Sequence, residues 1–179
     1  MPKHKVVSQK EAVFIVGPNG SGKTTFHGSL ISLREWPFLN ADQIVAASYK
    51  ETSVVDWCWV RSRVDAEIEA LIKVGSSFVY ETVFSHPNKL QLIQYLKERG
   101  YVVTLIVVAP KDPIVNIMRV RKRASEGGHD VPIDKILGRR PKTYQNIIAA
   151  ENIINVLVEV DSSGNSGKPF LIERIQVLM

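Results

Sequence analysis

A chain of 179 residues with 45% hydrophobic and 23% charged side chains is long enough for one packed domain over 1–179, and this composition excludes a disordered or collagen-like protein. The single cysteine, Cys58, cannot close an intramolecular disulfide, which fits the reducing cytoplasm, and its plain reading is a small core residue. A formal net charge of +5 points to acidic partners, either nucleic acid or phosphorylated small molecules.

The basic start, Met1 to Lys5, is followed by no apolar segment of signal length and reads as a frayed end. Ala12–Val16 is an apolar, β-rich run that predicts the first strand. Directly after it, Gly17-Pro18-Asn19-Gly20-Ser21-Gly22-Lys23-Thr24-Thr25 fits the phosphate-binding pattern G-x-x-x-x-G-K-[ST], and a helix is expected from Thr24 to Arg34. Strand, glycine loop and helix in that order make the pattern specific. Glycines let consecutive backbone N–H groups face a triphosphate, and the helix adds its positive end. Lys23 is then expected on the transferred phosphate and the Thr24 hydroxyl on Mg²⁺.

Trp36–Leu39 predicts a second strand, with Pro37 at its start. Asn40 and Asp42 follow it. Asp42 reads as an acceptor base, as the N-cap of a helix over Gln43–Tyr49, or as both. Val55–Val74 is a long helix, capped by Asp56 and ended by Gly75. Trp57, Val60, Val64, Ile68, Leu71 and Ile72 keep helical spacing, while Trp59 falls off that face and reads as a contact residue. Phe78–Tyr80 is the third strand. Glu81 and Thr82 follow it, Glu81 as an acceptor- or metal-water-binding carboxylate or as a surface group past a strand end. Ser85-His86-Pro87 opens a helix over Asn88–Arg99, closed by Gly100. Val102–Val108, too short to span a bilayer, is a buried central strand. No membrane association is expected. Asp112 and Pro113 start a helix through Ser125, which Gly127-Gly128-His129 breaks. The glycines suggest a mobile lid, and the lone His129 a structural residue. A helix over Pro141–Ile154, a strand over Val156–Val160, a turn-rich stretch to Pro169 and a last strand over Phe170–Ile175 complete the chain.

Alternating strands and helices predict an α/β fold with a mostly parallel sheet in three layers. Ligands in such sheets bind at the carboxyl ends of the strands, so the phosphate loop, Asn40, Asp42, Glu81 and Thr82 should converge on one rim. Two basic groups, Arg119-Arg121-Lys122-Arg123 and Arg139-Arg140-Lys142, lie after the fourth strand. They are either a solvated face or the cations of a helical lid over about 111–145.

Taken in order, Asn40-Ala41-Asp42, Glu81-Thr82-Val83, Arg123 with Glu126 to Pro132, and Arg139 to Thr143 with Asn146 resemble the successive motifs of zeta-toxin-like kinases, over about Val13 to Asp161. More particularly, they resemble a short bacterial subgroup often labelled a predicted ATPase. The resemblance implies an adenylate-kinase-like P-loop fold, ATP or GTP with Mg²⁺, and transfer of the γ-phosphate to a hydroxyl of a phosphorylated metabolite such as a nucleotide sugar. It implies Asp42 as acceptor base, Glu81 and Thr82 as the acceptor-binding pair, and Arg123 and Arg139 as lid arginines that neutralise the moving phosphate. Arg119 and Lys142 are weaker candidates for that duty. The chain departs from the longer toxins in its length, and in Ile44 and Val45, where those toxins carry a basic residue. It shows no fused antitoxin segment and names no antitoxin partner. A polynucleotide kinase shares the fold class, but no aromatic-plus-basic stretch for stacking on strands is evident. A nucleotide-switch ATPase is the other alternative.

Overall fold

The computed structural model describes residues 9–31, 35–49, 54–128, 130–164 and 170–178. Six strands form one sheet in the order β2-β3-β1-β4-β5-β6. These are β1 (Glu11–Val16), β2 (Phe38–Asn40), β3 (Phe78–Thr82), β4 (Val102–Ala109), β5 (Val156–Asp161) and β6 (Leu171–Val177). The first five run parallel; β6 lies antiparallel to β5 at the edge. Parallel strands need crossover helices, and those helices cover both faces, which is why β1 and β4 are apolar on both sides.

Alternation along β1 divides the core. Ala12, Phe14 and Val16 pack with Val64 and Ile68 of α3 (Trp57–Val74), Ile93 and Leu96 of α4 (Asn88–Glu98) and Ile147 and Ala150 of α6 (Ile133–Ala150). Val13 and Ile15 face the other way, onto Phe26 of α1 (Lys23–Phe26), beside Phe38 and Phe170. The result is a three-layer α/β fold. A third, small cluster of Val120, Val131 and Ile136 joins α5 (Pro113–Ser125) to the start of α6.

Most predicted boundaries follow their signals. Asp56 accepts hydrogen bonds from the Cys58 and Trp59 N–H groups, Asp112 from that of Ile114, and Gly75 ends α3 at φ 69°. Four differ. The helix after the phosphate loop is α-helical only to Phe26 and continues as a π-helical turn over His27–Ile31; Arg34 lies outside the described residues. The last helix begins at Ile133 rather than Pro141, which sits inside it. Pro141 removes the donor to the carbonyl of Leu137, a residue exposed enough for water to replace the bond. Cys58 is exposed rather than in the core, because it lies in the first turn of α3, outside the Val60–Val64–Ile68–Ile72 stripe. Finally, β2 starts at Phe38 rather than Trp36 and ends one residue later than expected, and β3 runs two residues further, so Asn40, Glu81 and Thr82 belong to strand ends. His129, Met1 to Lys5 and residues 165–169 lie outside the described residues. Among the described residues no helix is long and apolar enough to cross a membrane.

Candidate active site

The carboxyl ends of β1, β2 and β3 open into a cleft of about 1010 Å³. Its floor is the loop 17–22. Gly17 has φ +154°, and a Cβ there would lie 2.1 Å from the Val108 carbonyl oxygen of β4. Gly20 has φ +75°, and its Cβ would lie 2.4 Å from the Asn116 carbonyl oxygen of α5. The loop is thus clamped between a strand and a helix at two places where only hydrogen fits. Asn116, fully buried, ties it further by donating from Nδ2 to the Asn19 carbonyl at 3.0 Å. Ser21 Oγ is buried without a partner among the described residues. Lys23 is buried and donates to the Gly17 and Pro18 carbonyls, both at 3.0 Å.

Beside the loop three side chains from three elements meet. The Thr24 hydroxyl donates to Glu81, 2.9 Å from Oε2 and 3.1 Å from Oε1, and Asn40 Nδ2 donates to the same Oε2 at 2.9 Å. Strand register explains the second contact: Asn40 and Glu81 are direct partners in the β2–β3 pair. Burial pushes the Glu81 carboxyl above its ordinary range, opposed by the nearby Lys23 charge and the Thr24 hydrogen bond. Burial also pulls the Lys23 ammonium below its ordinary value, against the Glu81 and Asp42 charges. A cation and an anion held half out of water are a prepared electrostatic field rather than a stabilising pair.

Asp42 does not cap α2 (Ala41–Ser48): Asn40 does, its Oδ1 accepting from the Asp42 N–H at 2.7 Å. The cap position falls one residue before the helix, and β2 ends on a residue able to fill it. The exposed Asp42 carboxylate instead faces Arg123 of α5, with Oδ2 3.9 Å from Nη1. Arg139 of α6 reaches the loop, Nη1 lying 3.5 Å from Asn19 Oδ1. Of the seven clustered cations, Arg119, Arg123, Arg139 and Lys142 line the cleft, as do Thr25 and Thr82. Exposed Lys122 instead pairs with Glu126 at 3.9 Å, and Arg140 lies over the Tyr144 ring.

Two features carry no signal that sequence reading could use. Phe84, fully buried against Phe14, has φ +63°, a conformation that costs a non-glycine residue roughly 1–3 kcal/mol. It is pinned from α6: Thr143 Oγ1 donates to the Val83 carbonyl and Asn146 Nδ2 to the Phe84 carbonyl, each at 2.9 Å. Thr143 and Asn146 thereby fasten α6, the helix that bears Arg139, to the chain just beyond β3. The other is Asn116, a polar side chain hidden on the inner face of α5.

A nucleoside triphosphate fits these residues. Glycine N–H groups, an orphaned buried hydroxyl, a buried lysine and a helix start converge where phosphates would lie. Thr24 and Glu81 are oxygen donors of the kind Mg²⁺ takes alongside phosphate oxygens. Among the described residues, no three His, Cys, Asp or Glu side chains gather to hold a metal alone.

Sheet order, P-loop and helix-borne arginines define the P-loop kinase fold. Within it the chain belongs to the zeta toxin family, whose model matches residues 38–167. A relative in Haemophilus influenzae, described as an uncharacterized protein, is 26% identical over 137 residues, 72% of this chain and 91% of its own. The fold is shared with AvrRxo1-ORF1:-ORF2 with ATP, at TM-score 0.72 and 14% identity over 94% of this chain. It is also shared with the PezAT chromosomal toxin–antitoxin system of Streptococcus pneumoniae, at TM-score 0.64 and 18% identity over 94% of this chain. This chain covers 59% of the AvrRxo1 chain and 72% of the PezAT chain.

Proposed function

We propose that this protein is a cytoplasmic kinase that moves the γ-phosphoryl group of ATP or GTP onto a hydroxyl of a small phosphorylated metabolite, such as a nucleotide sugar. The observation that carries the reading is the meeting of Asp42 and Arg123, 3.9 Å apart, across a cleft whose floor is the phosphate loop. Loop N–H groups and Lys23 hold the β- and γ-phosphates. Thr24 and Glu81 hold Mg²⁺, which supplies charge neutralisation at the phosphate oxygens. Asp42 orients the acceptor and takes its hydroxyl proton as the oxygen–phosphorus bond forms and the bond to the β-phosphate oxygen breaks. Asn40, Glu81 and Thr82 position the acceptor. Arg123 and Arg139, on a lid formed by residues 111–145, meet the charge as it spreads. The likeness to a toxin–antitoxin system extends the proposal to an antitoxin-type partner.

The test is transfer from Mg-ATP into nucleotide sugars, dinucleotides, and DNA or RNA oligonucleotides, read by mass spectrometry with Asp42→Asn and Lys23→Ala as controls. A phosphorylated small-molecule product lost in both variants is expected. A phosphorylated oligonucleotide end would replace the reading with a polynucleotide kinase. Free phosphate released at the same rate with every acceptor would replace it with a nucleotide-switch ATPase.

A further inference from the structure

One wall of the cleft is not used by this chemistry. It is built from the start of α3 and the start of α4, and it carries Trp57, Arg61 and Lys89. Trp57, Arg61 and Asp65 follow at intervals of four on α3, so they form one stripe about 6 Å apart along the helix. Lys89, from the first turn of α4, crosses to the lower end of that stripe. Its Nζ lies 4.0 Å from Asp65 Oδ1 and 5.0 Å from the centroid of the Tyr80 ring. Tyr80 and Lys89 line the same cleft as Glu81, the ring standing on the opposite face of β3 from the Glu81 side chain, so this ammonium borders the cleft beside the α3–α4 wall.

Lys89 is unusually placed for a lysine. It is only 8% exposed, whereas lysines are almost never buried without a close partner. Its carboxylate partner stands at the outer limit of an ion pair and is itself 52% exposed. It occupies the first turn of a helix, where the dipole disfavours a cation. Arg61 is exposed at the mouth of the same wall, and no ion pair is formed by it among the described residues. Two cations and a large aromatic side chain facing one cleft, away from the phosphate loop, make a second anion-binding wall.

We infer that Lys89 and Arg61 bind the acceptor's own anionic group, a phosphate in a small molecule, while Trp57 covers the flat or apolar part next to it. This rests on the kinase reading above and assigns the half of the site that reading leaves open. A free small molecule is favoured over the end of a strand because the same stripe of α3 continues beyond Arg61 as Asp65 and Glu69, the latter accepting from the Tyr95 hydroxyl at 3.2 Å. These carboxylates would repel a continuing phosphate backbone, and Arg63 of α3 is already paired with Glu67 at 3.1 Å. In the wild type Asp65 competes for Lys89, and an acceptor phosphate displaces it.

The experiment saturates the protein with a non-hydrolysable ATP analogue and Mg²⁺, then titrates uridine diphosphate and, separately, inorganic phosphate, following calorimetry and tryptophan fluorescence. A second binding event is expected. Lys89→Met and Arg61→Gln should each weaken it roughly ten- to a hundredfold, the range for one charged hydrogen bond. Asp65→Asn should tighten it, a gain that a merely structural Lys89–Asp65 pair would not produce. Arg61→Gln, at an exposed position, keeps the test valid if Lys89→Met unfolds. Unchanged affinity in Arg61→Gln and Asp65→Asn, or no second event in the wild type, overturns the inference. An 8-mer oligonucleotide that binds this wall more tightly than the diphosphate, through the same residues, overturns the small-molecule assignment. If the ATP analogue itself fails to bind, the kinase reading falls, while the same titrations on the unloaded protein still judge the wall.

Discussion

Replacing Gly20 by alanine isolates how the phosphate loop is held. The new methyl would lie 2.4 Å from the Asn116 carbonyl oxygen and 2.9 Å from Val120 Cγ2, and the residue would keep φ +75°. The nearer obstacle is backbone, so either the loop or α5 must shift. A left-handed conformation costs alanine about 1–2 kcal/mol. Overpacking adds about 1–3 kcal/mol. The total, roughly 2–5 kcal/mol, converts at about 2–4 °C per kcal/mol for a chain of this length into a fall in Tm on the order of 10 °C. Calorimetric unfolding measures it, with Gly138→Ala as the matched control. Gly138 lies within α6 with nothing within 4 Å of its Cβ position. There the same substitution should stabilise by about 0.5–1 kcal/mol. A Gly20→Ala protein that melts with the wild type and binds the ATP analogue as tightly would refute the clamping of the loop by α5.

Other outcomes follow from the same geometry. Between the ordinary glutamate range and the raised Glu81 value, the folded protein binds more protons than the unfolded chain, so stability falls as pH rises through that window. Glu81→Gln should remove this slope from a Tm series across pH while abolishing turnover; an unaltered slope would reject the assignment. Thr143→Val deletes the donor to the Val83 carbonyl. It should cost about 1 kcal/mol of stability yet lower turnover far more than nucleotide affinity, and equal losses in both would make Thr143 a packing residue only.

How far the sequence could be read depended on whether a signal was local. The phosphate loop, the caps at Asp56 and Asp112, and the stop at Gly75 are written in residues a few positions apart, and the structure places them as expected. Asp42 shows where locality ends. A carboxylate at a helix start reads as a cap, and only the hydrogen bond from the Asp42 N–H to Asn40 Oδ1 reveals that Asn40 fills that role. Pro141 misled for the opposite reason: its local meaning is a break, but packing of Ile136 and Ile147 carries α6 through it. Among the basic residues, charge and spacing alone could not separate Arg123 from its neighbour Lys122; only the resemblance singled Arg123 out, and the difference lies in which way each faces on α5. Phe84 had no legible signal at all, since phenylalanine is not a residue that favours a left-handed turn.

Phe84 also bears on how such an enzyme could change over time. It leans on Phe14 of β1, the strand that runs into the phosphate loop. It follows Glu81 and Thr82 in the chain, and it is fastened to the helix bearing Arg139. Three working parts therefore share one rigid joint, and a packed joint of this kind moves as a unit rather than yielding gradually. Substitutions near it would disturb chemistry and fold together. On the α3–α4 wall, by contrast, Trp57 and Arg61 are exposed while Lys89 is buried. If that wall holds the acceptor as proposed, new acceptors could be tried on it without touching the Phe84 joint, and the molecule would separate the part needed to react from the part that varies in what it recognises.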